Sequence, residues 1–274
     1  MTLSLRPNET IATLLLQARL AEAAVQATDQ VKANPLDTTA RILLADLLCL
    51  QGAFERADAQ LQIASQHAPD DAIGIAQLCG LIRAEAARRA WFKDGALPSF
   101  LGQPTPRQQK ALQLALALRA TDATATACLR EELERTHVAR RGSCNGVSFD
   151  DFRDADDLVQ DSIEAVCANG KYYWLTPDAL VSLTFAAPRY PRDLMWRRTR
   201  AVLHSGEEVE LRLPAQYFDE AAADEHRVAQ QTDWIASIGG LVLGRGQRTL
   251  MIGGEPQGMM DIKYLRFEAP PRES

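Results

Sequence analysis

Residues 34–69 read NPLDTTARILLADLLCLQGAFERADAQLQIASQHAP. Pro35 and Pro69 each follow a short polar or small residue at the close of a helical run, and they stand 34 residues apart. That is the period of a repeated helix–turn–helix unit. With Pro69 in the unit's terminal position, Ala45 falls at the small site of the first helix. Ala57, Leu61 and Ala64 fall at the small, large and small sites of the second. Small residues belong there because paired helices approach closely, and Gly52-Ala53-Phe54 supplies the turn between them. Upstream, Ile11, Leu14, Leu15, Ala18, Ala21 and Val25 recur at helical spacing. Downstream, helices are expected over 72–93, 106–119 and 122–139, punctuated by the Pro- and Gly-containing loop Gly95–Pro106.

After Arg140-Arg141-Gly142 the texture changes, and glycine, proline and aromatic residues become frequent. Short strand-like runs follow at 172–175, 201–204, 208–213, 241–243, 249–252 and 262–267. In Glu208–Leu213 the apolar Val209, Leu211 and Leu213 alternate with charges, as in a half-buried strand. Asn169-Gly170 before KYYWL marks a hairpin turn. Pro177–Leu183 reads as a short helix capped by Thr176. The expected fold is therefore α+β in two parts. Residues 1–140 form tetratricopeptide-like helical hairpins, and residues 141–274 form an α+β domain with a small, mainly antiparallel sheet. Charge divides the same way: residues 1–120 carry a net +1 and the remainder a net −7.

The 274 residues are 46% hydrophobic and 24% charged, the composition of an ordinary globular chain. The net charge of −6 argues against nucleic acid and against an anionic membrane as partners. Five cysteines with no C-x-x-C pair form neither a disulfide framework nor a zinc ribbon. Cys49, Cys79 and Cys128 lie in helical, apolar surroundings and read as buried small hydrophobes. The start, MTLSLRPNET, has no basic segment followed by a long apolar run, and no stretch of about 18 apolar residues follows. A cytoplasmic, reduced protein is expected.

Three stretches invite a chemical reading. FDDFRDADDL, residues 149–158, packs five aspartates into Asp150–Asp157. As a calcium loop it fails, because Phe152 or Leu158 falls where an oxygen ligand is needed. The expectation is a solvated acidic loop leading into a helix from about Asp156, with Arg153 as a pairing partner. The alternative is a metal-dependent hydrolase built on the cluster. GGLVLGRGQRTLMIGG, residues 239–254, has P-loop spacing at Gly239 and Gly244, but Arg245 and Gly246 follow where Lys and Ser/Thr are required. A glycine-turned hairpin is the better reading, and no cofactor motif remains. Ser143-Cys144 has no nearby histidine to activate it. The aromatic and arginine residues around Tyr172, Tyr173, Trp174, Tyr190, Trp196, Tyr217 and Trp234 are the types enriched in binding hot spots.

FERADAQLQIA, FDDFRDADDL, NGKYYWL, PRYPRDLMWR, LPAQY, QQTDW, GRGQRTL and DIKYLRFE occur in this order. Together they resemble the ImpE/SciE family, also called TagJ, of accessory proteins in bacterial type VI secretion systems. The resemblance runs from about Leu14 to Glu268. It implies a non-enzymatic cytoplasmic adaptor with a tetratricopeptide-like portion and the family's own α+β domain. The implied partner is the N-terminal helix of the small contractile-sheath subunit, with a link to the AAA+ ATPase that disassembles the sheath. It implies no catalytic residues, metal or cofactor. Helical repeats offer concave surfaces to peptides, and a docked helix needs apolar anchors. Aromatic density nominates Tyr173, Trp174, Leu194 and Trp196 for that role. A general helical-repeat adaptor outside secretion is the further alternative.

Overall fold

The computed structural model describes residues 9–269. Helices α1 (Glu9–Leu16), α2 (Leu20–Ala33), α3 (Thr38–Leu50), α4 (Phe54–His67), α5 (Ala72–Asp94), α6 (Pro106–Arg119) and α7 (Ala123–Arg135) come first, and a short α8 (Asp224–Arg227) sits among the strands. The chain is α+β, helical first and strand-rich after.

The 34-residue unit forms as its spacing requires. Ala45, Ala57, Leu61 and Ala64 are each 2% exposed or less, at the contact between α3 and α4. Gly52 turns the chain at φ +78°, a conformation that costs a side-chain-bearing residue. Asp37 starts α3 by accepting from the Ala40 amide.

The first helix departs from the sequence reading. It breaks at Ala18, whose φ is +54°, and the buried set then shifts to Leu20, Ala23, Ala24, Ala27 and Val31. Ala21 and Val25 face outward. No local side chain caps the new helix; Asp224 does, accepting from the amides of Leu20 and Ala21 at 2.9 and 3.3 Å. Gln230 donates to the Leu15 and Leu16 carbonyls that end α1. Both partners lie over 200 residues away in sequence, so no local pattern announces the break. Met1–Asn8, on which the reading of the N-terminus rests, lie outside the described residues. Among the described residues no helix is long and apolar enough to cross a membrane.

The strands are β1 (Ser99–Phe100), β2 (Gly142–Cys144), β3 (Val147–Phe149), β4 (Phe152–Asp154), β5 (Ile163–Val166), β6 (Tyr172–Leu175), β7 (Leu180–Phe185), β8 (Trp196–Leu203), β9 (Glu208–Pro214), β10 (Thr232–Ala236), β11 (Val242–Gly246), β12 (Thr249–Ile252), β13 (Glu255–Gly258) and β14 (Tyr264–Phe267). The main sheet runs β1-β6-β5-β9-β8-β7-β14-β2-β3, with β13-β12-β4 and β10-β11 as smaller sheets. Every pairing is antiparallel except β1 with β6. The helical portion thus supplies the edge strand of the main sheet.

Three local expectations are corrected. Thr176 caps only a single turn, Pro177–Ala179, and Leu180–Phe185 is a strand held between β8 and β14. Residues 239–254 form two strands in different sheets rather than one hairpin: β11 returns on β10 and β12 turns into β13. Cys128 is exposed, because α7 buries Thr126 and Leu133 instead, and Cys79 of α5 is half-buried.

The helical repeats do not present an empty concave face. Residues 43–50 of α3 are all buried, because the turn Pro191–Leu194 packs on α3 opposite α2 and α4. Arg192 clamps Asp46 through both carboxylate oxygens at 2.8 and 2.9 Å. Burial outweighs that attraction and lifts the Asp46 carboxyl to about 6.

Helix α5 crosses the β5–β6 turn so closely that a Cβ on Gly80 would lie 1.9 Å from the Ala168 carbonyl oxygen. Gly74 in the same helix has nothing within 4 Å of that position. Gly80→Ala should therefore destabilise by about 1–3 kcal/mol through overpacking. Gly74→Ala should stabilise by up to about 1 kcal/mol through helix propensity. Urea unfolding of the two variants checks the opposite signs.

Candidate functional site

Glu164 sits in β5 within the run Ile163-Glu164-Ala165-Val166, all buried. A carboxylate in such a place is tolerated only when its charge is answered. Arg88 of α5 donates Nε to it at 2.8 Å, Arg248 donates from the β11–β12 connection, and the Tyr172 hydroxyl donates at 2.5 Å. Burial opposes ionisation of Glu164, but the Arg248 and Arg88 guanidiniums prevail and hold it down at about 2. Arg88 also reaches the Gln216 carbonyl at 3.1 Å and Glu85 at 3.3 Å. Glu85 accepts the Trp196 indole N–H at 3.1 Å. Arg248 pairs with Asp154 at 2.5 Å, and Asp154 also accepts from the Tyr217 hydroxyl at 2.8 Å. One ionic chain thus joins α5, the main sheet and the smaller sheet.

The acidic cluster is absorbed by this structure and is not a solvated loop. Asp154 and Asp156 are buried, and no helix starts at Asp156. Asp154 accepts from the Asp156 amide, while Asp156 accepts from the amides of Leu158 and Gly244 at 2.9 and 2.8 Å. Asp157 accepts from the Val242 amide, tying the loop to β11. Asp151 meets His137 at 2.8 Å. Arg153 pairs with Glu134 rather than with its aspartate neighbours. Burial and the neighbouring Asp154 charge push the Asp156 carboxyl up to about 7. Among the described residues no group of three or more His, Cys, Asp or Glu is arranged to hold a metal ion.

The four nominated anchors are placed as follows. Trp174, Leu194 and Trp196 are 1%, 0% and 2% exposed. Trp174 packs edge-on against Trp91 at 4.8 Å and donates to the Tyr172 hydroxyl. Trp196 serves Glu85, and Leu194 is the buried last residue of the turn that packs on α3. Tyr173 is half-buried beside β1. The structure does not bring them together on one surface. The residues that sequence reasoning passed over are Glu85, Arg88, Glu164 and Arg248. The available signal was a charge inside an uninterrupted apolar strand, IEAV.

A groove of about 640 Å³ opens between the N-terminal half of α5 and the main sheet. Its exposed lining is more polar than apolar: Ile42 and Leu78 are half-buried on it, while Ile75, Leu81 and Val166 lie buried behind it. Asp70 and Asp71 stand on its helical wall, and Glu210 and Arg212 of β9 on its sheet wall.

Glu164→Gln leaves Arg88 and Arg248 without their shared counter-charge and should cost about 3–5 kcal/mol in chemical denaturation. Asp156 keeps its proton in the folded chain over a range where the unfolded chain has lost it. Stability should therefore fall as pH rises from about 4 toward about 7, by up to about 1.4 kcal/mol per pH unit. Urea denaturation across that range should show the decline in the native protein and a flatter profile in Asp156→Asn.

The ImpE protein family matches residues 146–266. The type VI secretion system accessory component TagJ of Pseudomonas aeruginosa is 32% identical over 258 residues, 93% of this chain and 90% of that protein. A Vibrio parahaemolyticus protein of known crystal structure shares the fold, with a TM-score of 0.86 at 24% identity, over 96% of this chain and 98% of the other. The chain therefore belongs to the ImpE family, whose member TagJ is an accessory component of the type VI secretion system.

Proposed function

We propose that this type VI secretion accessory protein is a non-enzymatic cytoplasmic adaptor that binds the N-terminal helix of the small contractile-sheath subunit. Through that contact it is linked to handling of the sheath by the AAA+ disassembly ATPase. The observation that carries the reading is the groove between α5 and the main sheet, an open cleft with charged walls and a narrow apolar strip at Ile42 and Leu78. A helix docks in such a cleft through apolar side chains at i, i+3 or i+4, and i+7. The parts 1–140 and 141–274 act in this reading as one body, because Arg88 and Glu164 join them through buried charge. Asp154 and Asp156, the buried members of the aspartate cluster, have their oxygens committed to amides, a tyrosine and Arg248, so the hydrolase alternative gains no support from their geometry.

Calorimetric titration with a synthetic peptide of the cognate sheath subunit's N-terminal helix tests the proposal. The expected result is a dissociation constant near micromolar, about −8 kcal/mol, with a negative heat-capacity change from apolar burial. Absence of binding heat at several temperatures with peptide in large excess would overturn it.

A further inference from the structure

The groove has an electrostatic asymmetry that the fold itself does not use. Register places Arg198 of β8 directly opposite Arg212 of β9. Side chains so placed project from the same face with Cβ atoms about 5 Å apart, and like charges there repel. Among the described residues neither guanidinium has a hydrogen-bonded or ion-pair partner. The contrast with the neighbouring Arg192 is plain, since Arg192 is clamped on Asp46. Arg212 is half-buried, and burial pulls its pKa below the usual guanidinium range. Glu210 and Asp193 lie within electrostatic reach of it without contact, and Asp193 already accepts the amides of Arg189 and Tyr190. On the opposite wall Asp70 and Asp71 are exposed, and among the described residues their carboxylates have no partner. On the helical wall Leu78 is half-buried and Ile75 is buried behind it.

Two unpaired arginines set against each other beside an open cleft with a narrow apolar strip disfavour the free protein. Such an arrangement is explained when a bound partner supplies the missing counter-charge. We infer that the groove takes an amphipathic helix whose apolar stripe is flanked by acidic side chains on one side and basic side chains on the other. The acidic flank pairs with Arg212 and Arg198, and the basic flank faces Asp70 and Asp71. This assignment rests on the proposed binding of the sheath subunit's N-terminal helix and adds which surface, which orientation and which charges carry it.

The test titrates the sheath-helix peptide into the native protein, Arg212→Glu and Leu78→Asp, with a thermal melt of each protein alone. Arg212→Glu should weaken binding by about tenfold or more while its melting temperature stays unchanged or rises, because the Arg198 repulsion is relieved. Leu78→Asp should abolish binding. A peptide with its acidic flank changed to lysine should lose the native protein and recover Arg212→Glu. Native binding that neither substitution changes would overturn the groove assignment and leave the adaptor function standing on another surface. A loss of affinity in Arg212→Glu accompanied by a comparable fall in melting temperature would assign Arg212 to structure and overturn the inference. Failure of the native protein to bind the peptide would remove the adaptor reading, and the groove assignment with it.

Discussion

The Glu164 carboxylate, buried in the middle of a strand and shared by Arg88 and Arg248, is the constraint on which the rest of the molecule hangs. Each ion in this chain costs several kcal/mol to remove from water, and only mutual pairing recovers it. The pairing is possible in one arrangement: α5 against β5, and the β11–β12 connection over both. Strand β4 joins through Asp154, β8 through Trp196 and Glu85, and the segment after β9 through Gln216 and Tyr217. An apolar interface of the same area would tolerate sliding or rotation of the helices on the sheet. A chain of buried charges does not, since a shift of a few ångströms strands an ion. Its value is in fixing how the helical part sits on the sheet more than in raw stability.

That fixing explains why there is a groove at all. Helix α5 is held near its middle, where Gly80 lets the Ala168 carbonyl approach, and two turns later, where Arg88 enters the ionic chain. Its N-terminal turns, from Ala72 to Leu78, lie before both fixed points. They stand beside β9 with space between. The turn Pro191–Leu194, clamped by Arg192 on Asp46, fills the face of α3 that a helical repeat would otherwise offer to a peptide. The opening has therefore moved from within the repeats to the seam between helices and sheet.

Much of this was legible in the sequence where the physics is local. The α3–α4 hairpin follows from a 34-residue period and four packing positions, and the β5–β6 turn from Asn169-Gly170. The break at Ala18 was not legible, because its caps, Asp224 and Gln230, come from the far end of the chain. The aspartates misled for the same reason. A run of acids looks solvated until Arg248, 94 residues from Asp154, is brought beside it. Trp174 and Trp196 misled differently: aromatic side chains serve interiors and interfaces through the same apolar burial, and type alone does not separate the two uses.

The family resemblance and the groove draw on largely different residues, with Tyr190 and Arg192 of PRYPRDLMWR common to both. FDDFRDADDL supplies Asp154 and Asp156, NGKYYWL supplies Tyr172 and Trp174, and PRYPRDLMWR supplies Trp196. LPAQY supplies Tyr217 and the Pro214 carbonyl that Arg248 also binds, while GRGQRTL supplies Gly244 and Arg248 itself. The motifs that identify the chain thus supply many of the partners in its ionic chain, though Glu164, Glu85 and Arg88 lie outside them; the partners are dispersed in sequence because a buried charge must recruit them from several elements at once. Asp70, Asp71, Ile75, Leu78, Arg198 and Arg212 all lie outside those motifs. A reading anchored on the motifs therefore arrives at the scaffold and nominates scaffold residues for binding. The surface open to a partner emerges only when the scaffold is assembled and two arginines are found opposite each other in neighbouring strands.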